Sequence, residues 1–381
     1  MMSGFLAGYG RTLAGLERRG RRRSLIPNGG IDFTSNDYLG FAHSQRIRSA
    51  IAAAMERGVP AGSGGSRLLR GNHAEHVLLE EEAAAFFGSQ RMLYFSTGYA
   101  ANAALFSTLP QRGDLIVHDA LIHASAHEGI AASRAQAVVA RHNDVGSFEN
   151  ELAKWRKAGG SGHAWIAVES LYSMDGDCAP LAELAALADR YDSFLVIDEA
   201  HATGVFGDNG SGLATGLERR DNVVLLHTCG KALGVSGALL GANAVVCDYL
   251  VNRARSFIYS TAPSPLMAAG VREALKMLAE EPGRRLDLQR LSTFARSYLA
   301  ETIGMGGSSS HILPIMIGGT IRALRIAERM RAEGFDIRAI RPPTVPEGTA
   351  RLRIAITLNV DETAISRMLD CLKIALAEEA A

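Results

Sequence analysis

Short, almost wholly apolar runs alternate with helical patterns between residues 91 and 247. The strand candidates share apolar residues at nearly every position and are "MLYFS" (92–96), "DLIVHD" (114–119), "AWIAVES" (164–170), "SFLVIDE" (193–199) and "NVVLLHT" (222–228). Strands that are apolar on both faces are typical of a sheet covered on both sides. The last three candidates begin about thirty residues apart, the length of a βαβ unit. The sequence therefore predicts a three-layer α/β core with a mostly parallel sheet.

This rhythm changes near residue 281. The segment "EPGRRLDLQRL" interrupts the alternation of strand and helix, and residues 304–311 predict a loop. A strand, a helix, a proline-rich turn, a second strand and a final helix follow, which indicates a smaller α+β unit. We predict an N-terminal helix and arm over 1–45, a large α/β domain over 46–280 and a small α+β domain over 281–381.

The overall charge argues against a nucleic-acid partner. Forty basic residues balance forty acidic ones, whereas proteins that bind nucleic acid need a broad positive surface. The tetrapeptide DEAH at 198–201 spells a helicase motif, but no GxxxxGK[ST] phosphate loop accompanies it. In "TCGKALG" (228–234), Ala232 stands where Ser or Thr would hold magnesium. We therefore expect neither a nucleoside triphosphate site nor nucleic-acid binding.

Several features bear on where the protein works. No apolar run approaches the ~20 residues that span a bilayer, and the four scattered cysteines read as reduced thiols. The Arg-rich segment 1–23 suits a transit peptide or an amphipathic surface helix. Its apolar residues Phe5, Leu6, Leu13 and Leu16 lie on one side, which favours the helix. We expect a cytoplasmic protein without membrane association.

Clustered histidines raise the alternative of a metal site. His118, His123 and His127 are close in sequence, and Asp198 stands three residues before His201. A three-residue offset between strand and loop rarely directs two groups at one ion, and no HExxH or CxxC motif is present. We expect no catalytic metal.

Charged residues follow two neighbouring predicted strands. Lys231 comes after the strand 222–228, and Asp198 lies at the end of the strand 193–199. Lys231 could cap its strand as a surface cation, but a lysine amine in a partly dry pocket is a nucleophile that can form a Schiff base. A buried aspartate can pair with a protonated pyridine nitrogen, which makes pyridoxal phosphate an electron sink. His201 could then hydrogen-bond the phenolic oxygen of the same ring.

A phosphate anchor should accompany such a site. The segment "FSTGYAANAAL" (95–105) reads as strand, glycine turn and helix. The N-terminus of that helix offers unpaired N–H groups and partial positive charge near Gly98 and Tyr99. Any strand–helix turn looks similar, so the assignment depends on its order with Asp198, His201 and Lys231. Together these residues predict a pyridoxal-phosphate site.

The order of motifs resembles the α-oxoamine synthases over nearly the whole chain. The matching segments are "SNDYLGF" (35–41), "GSGGSRLLRGNHAEHVLLEEEAA" (62–84), "STGYAAN" (96–102), "HDALIHASAHEG" (118–129), "ESLYSMDGDCAPL" (169–181), "VIDEAHATGVFG" (196–207), "HTCGKALGVSGA" (227–238) and "FIYSTAPSP" (257–265). These enzymes depend on pyridoxal phosphate and have fold type I, the aspartate-aminotransferase-like transferase fold. The resemblance implies that fold, with the cofactor in the large domain.

The resemblance implies catalytic roles for single residues. Lys231 matches the Schiff-base lysine, and Thr228 matches a phosphate contact. Asp198 and His201 match the groups on the pyridine nitrogen and the phenolic oxygen. His123 matches the imidazole that stacks over the ring.

Further cofactor and substrate contacts are implied in the same way. Gly98 and Tyr99 match the phosphate site at the helix end. Ser260 and Thr261 resemble a phosphate contact from a second subunit, which implies a homodimer with shared active sites. Which of the two makes that contact stays open.

The resemblance also implies residues that contact the amino-acid substrate. Asn36 matches a pocket residue, and Glu169 and Ser173 match residues near the ring and the substrate. Arg351 matches the arginine that grips the amino-acid carboxylate, although Arg353 lies on the same side of the strand.

Near the acyl substrate the resemblance implies an arginine at the N-terminus. Arg21 is the nearest match, but Arg22 and Arg23 are adjacent to it, so the choice among the three stays open.

The implied reaction condenses an amino acid with an acyl thioester and releases carbon dioxide. The segments "GSGGSRLLRGNH" and "RPPTVPEGTARLRI" (341–354) are most like the branch that joins L-alanine to a pimeloyl thioester, carried by coenzyme A or an acyl carrier protein, in biotin biosynthesis. The alternatives are the branches that use glycine to make 5-aminolevulinate or 2-amino-3-oxobutyrate, and a non-catalytic partner subunit. Partner subunits of that kind typically lack the lysine that is present here as Lys231.

Overall fold

The computed structural model describes residues 4–379. Its strands, numbered in chain order, are β1 (Ile31–Asp32), β2 (Arg91–Phe95), β3 (Leu115–Asp119), β4 (Gln136–Ala140), β5 (Ala164–Glu169), β6 (Ser193–Asp198), β7 (Val223–Thr228), β8 (Ala238–Ala242), β9 (Ile312–Gly318), β10 (Phe335–Asp336), β11 (Arg338–Ile340) and β12 (Ala350–Ala355). Its α-helices are α1 (Gly4–Arg18), α2 (Gln45–Glu56), α3 (Ala74–Phe87), α4 (Gly98–Thr108), α5 (Ala124–Ala131), α6 (Val145–Lys157), α7 (Leu181–Arg190), α8 (Ala244–Arg253), α9 (Arg255–Ile258), α10 (Pro265–Glu280), α11 (Gly283–Ile303), α12 (Thr320–Ala332) and α13 (Glu362–Glu378).

Seven strands form one large sheet in the order β2-β8-β7-β6-β5-β3-β4. Strands β7, β6, β5, β3 and β4 are parallel, whereas β8 is antiparallel to both of its neighbours. Consecutive residues of one strand face different cores: Ile116 packs in one apolar cluster and Val117 in the other. The sheet is therefore covered on both faces, which confirms the α/β architecture predicted from the sequence.

The five predicted strands are present to within one residue at either end. Two strands of the large sheet were not predicted. In β4, Gln136 and Ala137 are exposed at the sheet edge, so the apolar signal of a central strand is missing. Strand β8 passes after one residue into α8, so its apolar run merges with the helical pattern that follows.

The chain divides into two compact units. The larger unit consists of Asn36–Ser173 and Asp177–Leu286 and contains the large sheet. The smaller unit consists of Met174–Gly176, Asp287–Ala381 and Met1–Ser35, as far as these segments are described. It contains the antiparallel sheet β11-β12-β9 and the two-stranded pair β1-β10. The three-part division into 1–45, 46–280 and 281–381 stays a prediction.

No helix within residues 4–379 is both long enough and apolar enough to cross a membrane. Residues 4–18 of the Arg-rich N-terminal segment form α1, as the helical interpretation predicted, whereas Arg21, Arg22 and Arg23 lie beyond its end.

Candidate active site

The large sheet places two carboxylates side by side. Strands β5 and β6 are parallel neighbours in which Glu169 pairs in register with Asp198. Each residue is the last of its strand, and Lys231 follows the end of the next strand, β7, by three residues. Carboxyl ends of parallel strands meet at one edge of a sheet, where ligands of α/β proteins commonly bind. The topology therefore gathers Glu169, Asp198 and Lys231 at that edge.

Lys231 is held by a chain of polar contacts. Its Nζ lies 2.7 Å from His201 Nε2, and the other ring nitrogen, Nδ1, lies 2.6 Å from the hydroxyl of Tyr38. The Tyr38 hydroxyl donates to Asn36 Oδ1 at 2.9 Å. Because a phenol has one proton, its oxygen accepts from Nδ1–H, and Nε2 is left to accept from Lys231. This arrangement orients the lysine amine.

Two neutral donors among the described residues hydrogen-bond the Asp198 carboxylate. Oδ2 accepts from Asn102 Nδ2 at 2.8 Å, and Oδ1 accepts from the Ala200 N–H at 3.0 Å. The side chain of Asn102 also donates to Ser125 Oγ at 3.0 Å, and Ser125 Oγ lies 2.8 Å from His123 Nδ1. Asp198 and His123 are thus joined through two buried polar side chains.

His123 is electrostatically linked to both principal groups of the site. Burial lowers the pKa of its imidazole, the Asp198 carboxylate opposes this shift, and the Lys231 cation adds to it. His123 therefore lies within electrostatic reach of both Asp198 and Lys231. The net lowering keeps His123 neutral near pH 7.

Glu169 is the second buried acid of this edge. Burial and the neighbouring Asp198 raise the pKa of Glu169 to about 8, against the opposing influence of Lys231. Its Oε1 is buried and has no hydrogen-bond partner among the described residues. Ser173, four residues on, is also buried. An unpaired buried oxygen beside Asp198 indicates a place where a ligand group can bind.

The helix end predicted to bind phosphate begins as expected. Thr97 caps α4 by accepting from the Ala100 N–H at 3.0 Å. A Cβ added to Gly98 would find only Thr228 within 4 Å, with Oγ1 at 3.9 Å. Gly98 and Thr228 therefore border open space at the positive end of α4, where an anion is favourable.

The acidic residue beside Asp198 has a different environment. Glu199 is fully buried, and its carboxylate accepts from the backbone N–H groups of Leu213 and Ala214 at 2.9 and 2.6 Å. Burial raises the pKa of Glu199 to about 7, although these hydrogen bonds act in the opposite direction. The polar residues around Lys231 are called the cluster below: Lys231, His201, Tyr38, Asp198, Asn102, Ser125, His123 and Glu169. Within the helicase-like tetrapeptide, Asp198 and His201 belong to this cluster, whereas Glu199 supports the loop that contains Leu213 and Ala214.

The comparisons with known proteins agree with this geometry. A model of the family "Aminotransferase class I and II" matches residues 28–372. The chain belongs to this family. A curated 8-amino-7-oxononanoate synthase of Chromobacterium violaceum is 42% identical, covering 89% of this chain and 88% of the relative. One of Anaeromyxobacter sp. is 40% identical, covering 99% and 98%.

Solved structures extend the likeness to the whole fold. A serine palmitoyltransferase from S. paucimobilis, with a bound PLP–myriocin aldimine, has a TM-score of 0.88 at 25% identity and covers 99% of this chain and 98% of that one. The 8-amino-7-oxononanoate synthase from Francisella tularensis has a TM-score of 0.77 at 27% identity and covers 92% and 99%. The predicted α-oxoamine synthase family and fold type I are confirmed.

The residues of the cluster fit the pyridoxal phosphate of aminotransferase-family enzymes. Lys231 offers an amine for the aldehyde, and Asp198 offers a carboxylate for the ring nitrogen. The open end of α4 offers N–H groups for the phosphate. Glu169 Oε1, buried and without a hydrogen-bond partner within residues 4–379, adds an acceptor at the same edge. Among residues 4–379 no group of three or more His, Cys, Asp or Glu is arranged to hold a metal ion.

Four other predicted residues have the following surroundings. Ser260 and Thr261 are exposed and, with Ser96, border a cavity of about 20 Å³. Arg351 and Arg21 belong to the smaller unit. Arg351 is buried, with its Nε donating to the Thr349 carbonyl at 3.1 Å and its Nη1 paired with Asp175.

Arg21 has a more exposed partner than Arg351. It pairs with Glu347, whose side chain is 74% exposed. Arg353, the open alternative to Arg351, is also buried, so burial does not decide between them. The roles of these arginines stay predictions.

Sequence reasoning missed three residues of the cluster. Tyr38 and Asn102 lie inside motifs that were recognised, and Ser125 lies two residues after His123. The available signal was a polar residue in an apolar context: Asn102 occurs in a helix of small apolar residues and is 2% exposed. A buried amide needs partners, but the sequence does not identify them.

Proposed function

We propose that this enzyme joins L-alanine to a pimeloyl thioester with loss of carbon dioxide, giving 8-amino-7-oxononanoate and the free thiol in biotin biosynthesis. The observation that carries the proposal is the contact of Lys231 with His201 at 2.7 Å, beside Asp198, in a chain 40% identical to an 8-amino-7-oxononanoate synthase. The cofactor is pyridoxal phosphate.

The residues of the cluster divide the work of holding the cofactor. Lys231 would hold the aldehyde carbon, Asp198 the ring nitrogen and His201 the phenolic oxygen. His123 would lie on the ring face, while Thr228 and the end of α4 at Gly98 and Tyr99 would take the phosphate. When bound, pyridoxal phosphate draws electrons away from the α-carbon of an attached amino acid.

Lys231 also moves the proton that starts the reaction. Its free amine takes the proton from the α-carbon of alanine, and positioned acid–base catalysis of this kind contributes roughly 10²–10⁴-fold. His201 Nε2, 2.7 Å from Nζ, accepts from the amine and fixes its direction. Asp198, hydrogen-bonded by neutral donors, keeps its negative charge available for the protonated ring nitrogen.

Further residues would contact the substrates. Arg351 holds the alanine carboxylate through its planar guanidinium, and Arg21 lies near the acyl chain. Asn36, Ser173 and Glu169 line the substrate side of the pocket. Glu169 Oε1, which has no partner among the described residues, is free to accept from a substrate donor.

The enzyme works as a cytoplasmic homodimer, in which the partner subunit supplies Ser260 or Thr261 to the phosphate. Helix α1 supports this arrangement because none of its described residues is buried, and Phe5 and Tyr9 are 91% and 73% exposed. None of the four cysteines forms a disulfide among the described residues, which is typical of a reducing compartment. Sedimentation analysis should give twice the mass of one chain.

A substrate assay tests the proposal. Purified protein with pyridoxal phosphate is incubated with alanine or glycine and with pimeloyl-coenzyme A or a pimeloyl carrier protein, and the products are identified by mass spectrometry. We expect 8-amino-7-oxononanoate from alanine with at least one thioester. A clear preference for glycine would move the enzyme to the 5-aminolevulinate or 2-amino-3-oxobutyrate branch, and no product with either thioester would reject the condensation.

A further inference from the structure

A buried polar chain connects Asp198 with His123 through two residues that both lie on helices. Asn102 lies in α4 and Ser125 in the first turn of α5, and they are 2% and 1% exposed. The links are 2.8 Å from Asn102 Nδ2 to Asp198 Oδ2, 3.0 Å from the same nitrogen to Ser125 Oγ, and 2.8 Å from Ser125 Oγ to His123 Nδ1. Each is a good hydrogen-bond distance.

The donors and acceptors of this chain can be assigned from its chemistry. An amide nitrogen only donates, so the two protons of Asn102 Nδ2 go to Asp198 and to Ser125. Ser125 Oγ therefore accepts from Asn102 and has its own proton left for His123 Nδ1. The Ser125 backbone N–H also points at Nδ1, at 3.2 Å. Two donors meet at Nδ1, which must carry the lone pair, and the imidazole proton lies on Nε2.

The packing of α4 against α5 makes this link possible. A Cβ added to Gly129 in α5 would come within 2.8 Å of the Asn102 carbonyl oxygen, so the two helices approach closely at this level. That approach lets one amide and one hydroxyl bridge them. A buried Asn in an otherwise apolar helix is costly unless its donors are satisfied, and here both donors are used.

A purely structural role accounts for only part of this arrangement. His123 is the N-cap of α5, and the Ser125 N–H already satisfies the cap. The cap needs neither the Ser125 hydroxyl nor the Asn102 amide. The Ser125 hydroxyl adds a second, shorter hydrogen bond to His123 Nδ1, which strengthens the preference for the Nε2–H tautomer, and the Asn102 amide fixes the Asp198 carboxylate.

We propose that Asn102 and Ser125 are positioning residues that fix the Asp198 carboxylate and hold His123 with its proton on Nε2. The proposal rests on the proposed function, in which His123 and Asp198 contact one cofactor ring. Through this chain the two groups are oriented together. The Nε2–H of His123 is then the donor available to a reacting oxygen, while Nδ1 is occupied.

The test uses Ser125→Ala, which removes the hydroxyl and keeps the backbone cap. In the full-length protein as purified, labelled with ¹⁵N-histidine, long-range ¹H–¹⁵N spectra report which nitrogen of each imidazole carries the proton. The spectrum of His123→Asn assigns the His123 signals. We expect Nε2–H alone in the wild type, a mixture of tautomers in Ser125→Ala, and recovery of the single tautomer in Ser125→Thr.

Turnover and the spectrum of the bound cofactor give a second measurement. Losing a hydrogen bond to a catalytic group should lower kcat roughly tenfold with little change in KM for alanine. The pH titration of cofactor absorbance should shift in Ser125→Ala and in Asn102→Leu, which removes both amide donors. Ser107→Ala is the matched control, because Ser107 is exposed on α4 and its hydroxyl donates to the Ala103 carbonyl of the same helix.

These measurements distinguish the positioning role of Asn102 and Ser125 from a purely structural role. An unchanged His123 tautomer together with unchanged kcat in Ser125→Ala would overturn the positioning role. Should Ser125→Ala not fold, Ser125→Cys, with similar volume and a weaker donor, gives the same readouts. The tautomer measurement needs no turnover, so it still decides the positioning role if the wild type fails to condense alanine with either thioester.

Discussion

Asp198 in the larger unit and Arg351 in the smaller unit are both buried charged residues, 8% and 4% exposed, but their partners differ. Asp198 is hydrogen-bonded by an amide and a backbone N–H, which are neutral. Arg351 is paired with a carboxylate, that of Asp175. The Asp198 carboxylate is therefore oriented by partners that carry no charge, whereas the Arg351 guanidinium already has a counter-charge.

This difference indicates two ways of preparing for a ligand. Neutral donors hold Asp198 in place and leave its charge to act on a cation such as a protonated ring nitrogen. Arg351 would have to share or exchange Asp175 when an incoming carboxylate binds. We therefore expect substitutions in the cluster of the larger unit to act on the chemical step, and substitutions around Arg351 to act on substrate affinity.

The largest effect is expected at Lys231. Lys231→Ala removes both the amine that would hold the cofactor and the base for the α-proton, so activity should fall by roughly 10³–10⁴-fold. After borohydride reduction, the wild type should retain the mass of the cofactor and the variant should not. Lys276→Ala, at an exposed position of α10, is the matched control. More than a tenth of wild-type activity in Lys231→Ala would contradict the role of this lysine.

A smaller and different effect is expected at Arg351. Arg351→Lys keeps the charge but loses the planar fork that fits a carboxylate, so KM for alanine should rise by roughly 10- to 100-fold while kcat changes much less. Steady-state kinetics with varied alanine separates the two parameters. The same substitution at Arg353 provides the comparison, since both residues are buried on β12. A larger rise in KM for Arg353→Lys would give the carboxylate to Arg353.

The same contrast explains what the sequence could predict. The strand that ends at Asp198 and the strand that precedes Lys231 were predicted because apolar runs and βα spacing are local signals. The family followed from motifs in a fixed order. Tyr38 and Asn102 were not predicted as supports, because their partners His201 and Asp198 lie 163 and 96 residues away. Such pairings depend on how the helices and loops pack onto the sheet, which periodicity does not contain.

In the larger unit, two carboxylates raise the pKa of a third charged residue, His142. His142 lies 2.9 Å from Asp119 and 2.8 Å from Asp177. Burial disfavours its charge, but the hydrogen bonds to both carboxylates outweigh burial and raise the pKa of His142 to about 10. The pKa of the unfolded residue is about 6.5. The stabilisation is therefore fully present below pH 6.5 and is lost as the pH rises through 10.

The pH range in which the charge of His142 stabilises the fold gives a prediction for His142→Gln. The variant should lose on the order of 2 kcal/mol of unfolding free energy at pH 6, and the difference from wild type should shrink towards pH 10. Urea unfolding at several pH values measures this. His43→Gln, at an exposed position, is the control and should show no such trend. A pH-independent difference for His142→Gln would mean that packing, and not charge, accounts for the loss.

The smallest effect is expected at the partner of Arg351. Asp175→Asn removes the counter-charge but keeps the shape, and a pair whose acid is 31% exposed contributes about 0.2–1 kcal/mol. If the alanine carboxylate competes with Asp175 for Arg351, KM for alanine should fall by roughly threefold with kcat unchanged. Glu347→Gln, which removes the partner of Arg21 in the same unit, should leave this KM unchanged. A rise in KM for Asp175→Asn would show that Asp175 orients Arg351 for the substrate. The contrast with Asp198 would then disappear, because both charged residues would be oriented by fixed partners before the ligand binds.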